Sequence, residues 1–292
     1  MSALPALLDS LIDYAGLFPP ARLPMADAVR NHAGYLAGPH RAALGRLIIP
    51  LARLGEFAAA YDQLDPAGHR NWHLSVLAGP EPPADLAALL AFNARQPHAR
   101  IVSVETKAAT PAEVARLVAP FPVEIEVWVE VLSAGDCAPL IAAIKTAGRG
   151  AKIRTGGVTP EAFPPAADVA RFLVACRDAG VVCKATAGLH HPLRGDYRLN
   201  YEPGSPRGTM LGFLNVFLAA TLLHTGGSVA DATALLVDGN AENFTCSPDA
   251  LVWRTHRFTA AQLAAARRQL CRSFGSCSFD EPLEGLQQLR WL

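Results

Sequence analysis

Val123-Glu124-Ile125-Glu126-Val127-Trp128-Val129-Glu130-Val131 alternates with a period of two. Side chains of an extended chain point to opposite faces in turn. One face therefore carries Val123, Ile125, Val127, Val129 and Val131, and the other Glu124, Glu126, Trp128 and Glu130. The β-branched face calls for a covering layer of helices. The acidic face calls for water at Glu124, where the strand starts, and for cations further in.

Similar short runs flank this one, at residues 46–50, 73–78, 101–106, 151–155 and 181–187. Helical patterns separate them at 56–64, 84–93, 111–118, 138–146 and 166–178, each long enough to cross over between parallel strands. Strand and helix in alternation imply a parallel sheet with both faces covered. The arrangement expected is a TIM-type (β/α)8 barrel forming a single domain over residues 1–292. An open doubly wound sheet is the competitor, although no GxGxxG turn marks a dinucleotide site.

The ends of the pattern are less regular. Residues 1–18 read as an opening helix, followed by a structured corner at 16–20 and a second helix over 25–36. Past Leu189, residues 212–217 begin a seventh strand or belong to a helix running to His224, and a weak eighth strand falls near 244–246. A helix over 259–272 leads to the aromatic segment 274–282, which reads as a docked C-terminal tail anchored by Phe274 and Phe279. The barrel is thus expected to be irregular at its C-terminal end and preceded by N-terminal helices.

Extending the two-face sorting groups Ser103, Glu105 and Lys107 on one strand, Lys152, Arg154 and Gly156 on another, and Lys184, Thr186 and Gly188 on a third. With Glu126 and Glu130, four successive strands aim three carboxylates and four cations at one interior. A lone buried charge would cost several kcal/mol, whereas opposite charges compensate each other. Such a group is either an ion network that holds the barrel together or a site. Lysines are seldom buried without a purpose, which favours the site.

A lysine amine attacks a carbonyl only when unprotonated, and a neighbouring cation with partial desolvation lowers its pKa. Lys152 and Lys184 are the candidate nucleophile and tuner, with Glu130 and Glu105 as the accompanying catalytic carboxylates. Ala151-Lys152-Ile153-Arg154-Thr155-Gly156-Gly157, followed one helix later by Cys183-Lys184-Ala185-Thr186-Ala187-Gly188-Leu189, resembles the paired-lysine strands of the class I deoxyribose-phosphate aldolase family. The resemblance, over about 40 residues, implies that Lys152 forms the Schiff base and that Lys184 tunes it. The chain departs from that family in Arg154, where a small hydroxyl residue is expected, and in His190-His191-Pro192 after the second lysine strand. Over nearly its whole length it also resembles a group of bacterial and plant barrel proteins of unassigned activity. That likeness is carried by Ile12-Asp13-Tyr14-Ala15-Gly16-Leu17-Phe18-Pro19-Pro20-Ala21 and by segment 274–282.

Other residues supply binding chemistry. Arg154 offers parallel donors to a phosphate or carboxylate, Gly156 and Gly157 let backbone N–H groups approach it or serve a turn, and Lys107 adds charge. His190 and His191 lie beyond a strand end, suited to holding an anion or moving protons. With Glu105 and Glu130 they alternatively form a divalent metal site, although nearby lysines oppose a cation. Asp13, Tyr14, Arg53 and Asn215 read as structural residues at corners and strand ends. Cys277, between Ser276 and Ser278, has no histidine close in sequence to activate it.

Composition removes several classes. Of 292 residues 51% are apolar and 18% charged, which excludes a disordered chain. The 26 basic and 26 acidic side chains balance without a run of one sign, so no nucleic-acid partner is expected. No apolar stretch reaches the roughly 20 residues that span a bilayer, so no membrane partner is expected either. The six cysteines show no CxxC pair and read as reduced thiols of a cytoplasmic protein. The expected partner is a small anionic substrate, and homo-oligomer formation is left open. The functions expected are a Schiff-base aldolase or lyase acting on an anionic carbonyl compound such as a sugar phosphate, without cofactor; a metal-dependent isomerase or hydrolase; or a non-catalytic ligand-binding barrel.

Overall fold

The computed structural model describes residues 2–65, 71–132 and 134–292. Eight parallel strands close into a barrel: β1 (Ile12–Tyr14), β2 (Leu44–Pro50), β3 (Trp72–Leu77), β4 (Ala99–Lys107), β5 (Glu126–Val131), β6 (Gly150–Arg154), β7 (Cys183–Thr186) and β8 (Cys271–Ser276). Each pairs with its neighbours in sequence, and β8 closes the ring on β1. The β-branched face of β5 meets the helices: Val127, Val129 and Val131 are buried among apolar residues of the outer layer. Glu130 shares the interior with Lys152 and Lys184, its register neighbours on β6 and β7.

The six runs read from the sequence are β2 to β7, and the helices between them fall where periodicity placed them. The two ends require correction. The opening helix stops at Leu8, and Ile12–Tyr14 is a barrel strand. The buried guanidinium of Arg267 donates to the carbonyls of Leu7, Asp9 and Ser10, satisfying acceptors that a helix end leaves open and turning the chain into β1. At the other end, the supposed docked tail supplies β8. Its outward Phe274 packs on Phe213 and Phe217, with ring centroids 5.5 and 5.9 Å away. Inward it presents Ser273 and Gly275, with Arg272 reaching into the barrel floor, so no apolar alternation announces it.

Residues 212–217 contain no strand. They enter a helix, Phe213–His224, buried from Phe213 to Leu223 and therefore without the amphipathic stripe that marks a surface helix. The strand Phe244–Cys246 exists, but in an antiparallel sheet with Ala250–Trp253 and His256–Thr259 outside the barrel. A hairpin, Gly195–Arg198 with Arg207–Met210, follows β7. Among the described residues no helix is long and apolar enough to cross a membrane.

Candidate active site

The barrel axis holds a continuous chain of opposite charges. Lys184 Nζ donates to Asp13 Oδ2 at 2.6 Å and to Glu105 Oε1 at 2.8 Å. The other oxygen of Glu105 receives Lys152 Nζ at 2.9 Å, and Lys152 also meets Glu130 Oε2 at 2.9 Å. Arg154 Nε reaches Glu130 Oε1 at 3.4 Å. Three carboxylates thus alternate with two ammoniums and one guanidinium, drawn from β1, β4, β5, β6 and β7. Ser75 Oγ donates to Glu105 at 2.9 Å, while Ser273 Oγ and the backbone N–H of Arg46 donate to Asp13 at 2.9 and 2.8 Å. These hydroxyl and amide donors occupy carboxylate lone pairs that the lysines leave open, as a buried ion network requires.

The network settles which groups are charged. Burial disfavours the Lys184 ammonium, but Asp13 and Glu105 outweigh burial and hold its pKa above the ordinary lysine value. Burial likewise opposes a Glu105 carboxylate, and Lys152 with Lys184 reverses that, leaving its pKa well below the carboxylate range. Glu130 is lowered too, because Lys152, Arg154 and Lys107 together exceed the cost of burial. Glu105 is therefore an anion pinned between two cations.

The layout differs in one respect from a pair of bare lysines. Glu105 stands between the two amines with one oxygen for each, so Lys184 and Lys152 are joined through the carboxylate they share. Asp13, read from the sequence as a corner residue, completes the coordination of Lys184. The signal that could have found it is the position of Asp13 one residue into an apolar run that breaks at Gly16. A three-residue strand is too short for period-two sorting to reveal that its side chain points inward.

Access comes from the carboxyl ends of the strands, where barrel enzymes place their chemistry. A cavity of about 230 Å³ opens there, lined by Glu105, Lys152, Arg154, Thr186, His190 and Cys277 and by Phe18 and Pro19. Lys152 reaches this cavity, whereas the Lys184 side chain is fully enclosed. Arg154 is about half exposed (52%), and beyond Glu130 no protein acceptor among the described residues engages it. Lys107 sits at the exposed end of β4, opposite Glu130 in the register, and does not line the cavity.

Gly157 lines the cavity, and Gly156 serves packing: a Cβ on it would lie 2.5 Å from Phe163 Cε1 and 2.8 Å from Gly188 Cα. Its place is set by this close approach of the β6 and β7 loops. No left-handed torsion is needed there, in contrast to Gly188, whose φ is +76°.

The two histidines separate. His190 faces the mouth and binds Glu281 Oε2 through Nδ1 at 2.9 Å. His191 turns into a neighbouring cavity and stacks on Tyr197 at 3.6 Å between ring centroids. Burial, with the adjacent His190, brings the pKa of His191 down to about 4. Of the set His190, His191, Glu105 and Glu130, only His190 and Glu105 line the mouth cavity. Cys277 also lines it, with Tyr201 Oη 3.6 Å from its sulfur, and burial pushes its thiol pKa up to about 11.

Glu126 serves the opposite end of the barrel. Arg46 and Arg272 hold its two oxygens at 2.7 and 2.6 Å, and the Arg272 guanidinium lies over the Trp128 ring at 5.4 Å. These side chains form a floor beneath the charged chain. No protein-family model, curated protein or solved structure matches this chain. What the site does is therefore argued from its own chemistry.

Proposed function

We propose that this protein is a Schiff-base lyase of the aldolase type, acting on a small carbonyl compound that carries an anionic group such as a phosphate. The observation that carries this reading is the position of Lys152, at the wall of the mouth cavity with its amine held between Glu105 and Glu130. An amine so placed can pass a proton to Glu130 and attack a carbonyl carbon entering from the mouth. Loss of water from the adduct leaves an iminium, which draws in the electrons of a neighbouring carbon–carbon bond.

Lys184 is the tuner in this reading. As a permanent ammonium it takes up part of the charge of Glu105, the carboxylate that also holds Lys152. Arg154 clamps the substrate's anionic group at the rim, with Lys107 adding positive potential. The protein works without a cofactor and in the cytoplasm, a reducing compartment that suits six free cysteines. The paired-lysine resemblance to the deoxyribose-phosphate aldolases points the same way.

Borohydride reduction tests the reading. Incubation with pyruvate, glyceraldehyde 3-phosphate or dihydroxyacetone phosphate, then reduction and peptide mass mapping, is expected to place the adduct on Lys152 for at least one compound and to leave Lys184 unmodified. A Lys152→Ala variant loses the adduct. Turnover that persists in that variant rejects the reading.

A further inference from the structure

The charged chain on the barrel axis holds the Lys152 amine in place but leaves no group to handle protons on the substrate. Glu105 has both oxygens committed to lysines, and Glu130 is divided between Lys152 and Arg154. His190 lines the same mouth, and its surroundings are built. Nδ1 lies 2.9 Å from Glu281 Oε2 and 3.5 Å from Ser276 Oγ. The Glu281 carboxylate shares a side-chain hydrogen bond with Tyr201 as well, and the residue's backbone N–H donates to Ser278 Oγ at 3.1 Å. Nε2 has no protein partner among the described residues, and the ring lines the same cavity as Lys152.

A carboxylate that accepts from Nδ1–H fixes the tautomer, leaving the Nε2 lone pair toward the cavity. Glu281 is suited to this, since His190 holds its pKa below the ordinary value despite burial. We propose that His190 is a catalytic residue of the lyase reaction, exchanging protons with the substrate through Nε2, and that Glu281 is its positioning residue. This rests on the Schiff-base reading of Lys152.

The step balances without a further reactant. In the iminium formed on Lys152, His190 Nε2 takes the proton of the substrate hydroxyl as the carbon–carbon bond breaks. The bond's electron pair moves to the iminium nitrogen, giving an enamine, and the hydroxyl-bearing carbon departs as an aldehyde. The imidazolium then returns its proton to the enamine carbon, and water releases the second product and restores the Lys152 amine. In the absence of an aldehyde the same residue removes and restores a proton on the carbon next to the carbonyl.

That partial reaction is the test. For whichever of the three carbonyl compounds is trapped on Lys152, hydrogen–deuterium exchange at that carbon is followed by NMR in D₂O. His190→Gln is expected to keep borohydride trapping, which also shows that the barrel is folded, and to lose about a hundredfold or more in exchange rate. Imidazole added to His190→Gly is expected to restore exchange, and Glu281→Gln to slow it with trapping intact. Unchanged exchange in His190→Gln overturns the assignment, as does loss of trapping together with exchange in both His190→Gln and His190→Asn. Absence of any Lys152 adduct in the unaltered protein overturns the Schiff-base reading, and the role of His190 falls with it.

Discussion

Lys184 and Asp13, 171 residues apart along the chain, are joined by a 2.6 Å hydrogen bond inside the barrel. The bond connects the first strand to the seventh, past the eighth that lies between them. Removing Lys184 leaves the Asp13 carboxylate buried without a countercharge, a loss of roughly 3–5 kcal/mol, whereas removing Asp13 leaves Lys184 its bond to Glu105 at 2.8 Å. Lys184→Met is expected to lower the unfolding free energy by about that amount in urea titrations, and Asp13→Asn by less. The combined Asp13→Asn, Lys184→Met variant loses less than the sum of the two singles, because the Asp13 charge is then no longer left alone.

The carboxylates give the fold an acid limit. Glu105 and Glu130 have depressed pKa values in the folded protein. Their contribution is complete above the unfolded glutamate value of about 4.3 and is lost as pH falls through the folded values. Lys184, raised when folded, contributes fully below the unfolded lysine value near 10.4 and loses that contribution as pH rises through its folded value. Stability is expected to be flat between these limits and to fall at both ends. Urea midpoints measured against pH check this, and Glu105→Gln flattens the acid limb.

Arg154 separates binding from chemistry. Its guanidinium is half exposed at the mouth and is separated from Lys152 by the Glu130 carboxylate, which takes one cation on each oxygen. A hydrogen bond to a charged group contributes about 1.5–3 kcal/mol. Arg154→Ala is expected to raise KM for an anionic substrate about ten- to a hundredfold, with kcat little changed. Steady-state kinetics on the substrate identified by trapping supplies both numbers.

How much of this was legible in the sequence depended on strand length and contrast. In β4 to β7 charged and apolar faces alternate clearly, and Glu105, Glu130, Lys152 and Lys184 all came out on the interior side where the structure has them. Asp13 and Ser273 did not, because β1 spans three residues and β8 turns a serine and a glycine inward. The sharing of Glu105 between two lysines was beyond sequence reasoning, since it depends on how far each side chain reaches across the axis. His190 was visible as a residue past a strand end, but its Glu281 partner lies 91 residues away.

Cys277 lines the mouth without the attributes of a nucleophile. A thiol with its pKa near about 11 is almost wholly protonated at neutral pH, and only the thiolate reacts readily. Alkylation by iodoacetamide at pH 7 is expected to be slower than for a free cysteine, as read by mass spectrometry. Cys277→Ala is expected to keep the Lys152 adduct.

Gly156 fastens two loops together at the mouth. Gly156→Ala pushes a methyl group into Phe163 and the backbone of Gly188, an overpacking that costs about 1–3 kcal/mol. Thermal unfolding is expected to shift downward by the corresponding amount.

Closure of the barrel through β8 has a consequence for how the protein is made. On a ribosome the chain has Lys152, Lys184, Glu105 and Glu130 in hand long before Cys271–Ser276 is synthesised. Until that strand arrives, β1 and β7 each expose an unpaired edge, and the Asp13 carboxylate lacks the hydroxyl of Ser273. The buried charges can leave water only once that strand has joined β1 to β7, so assembly of the charged centre waits for the strand that comes last in the barrel.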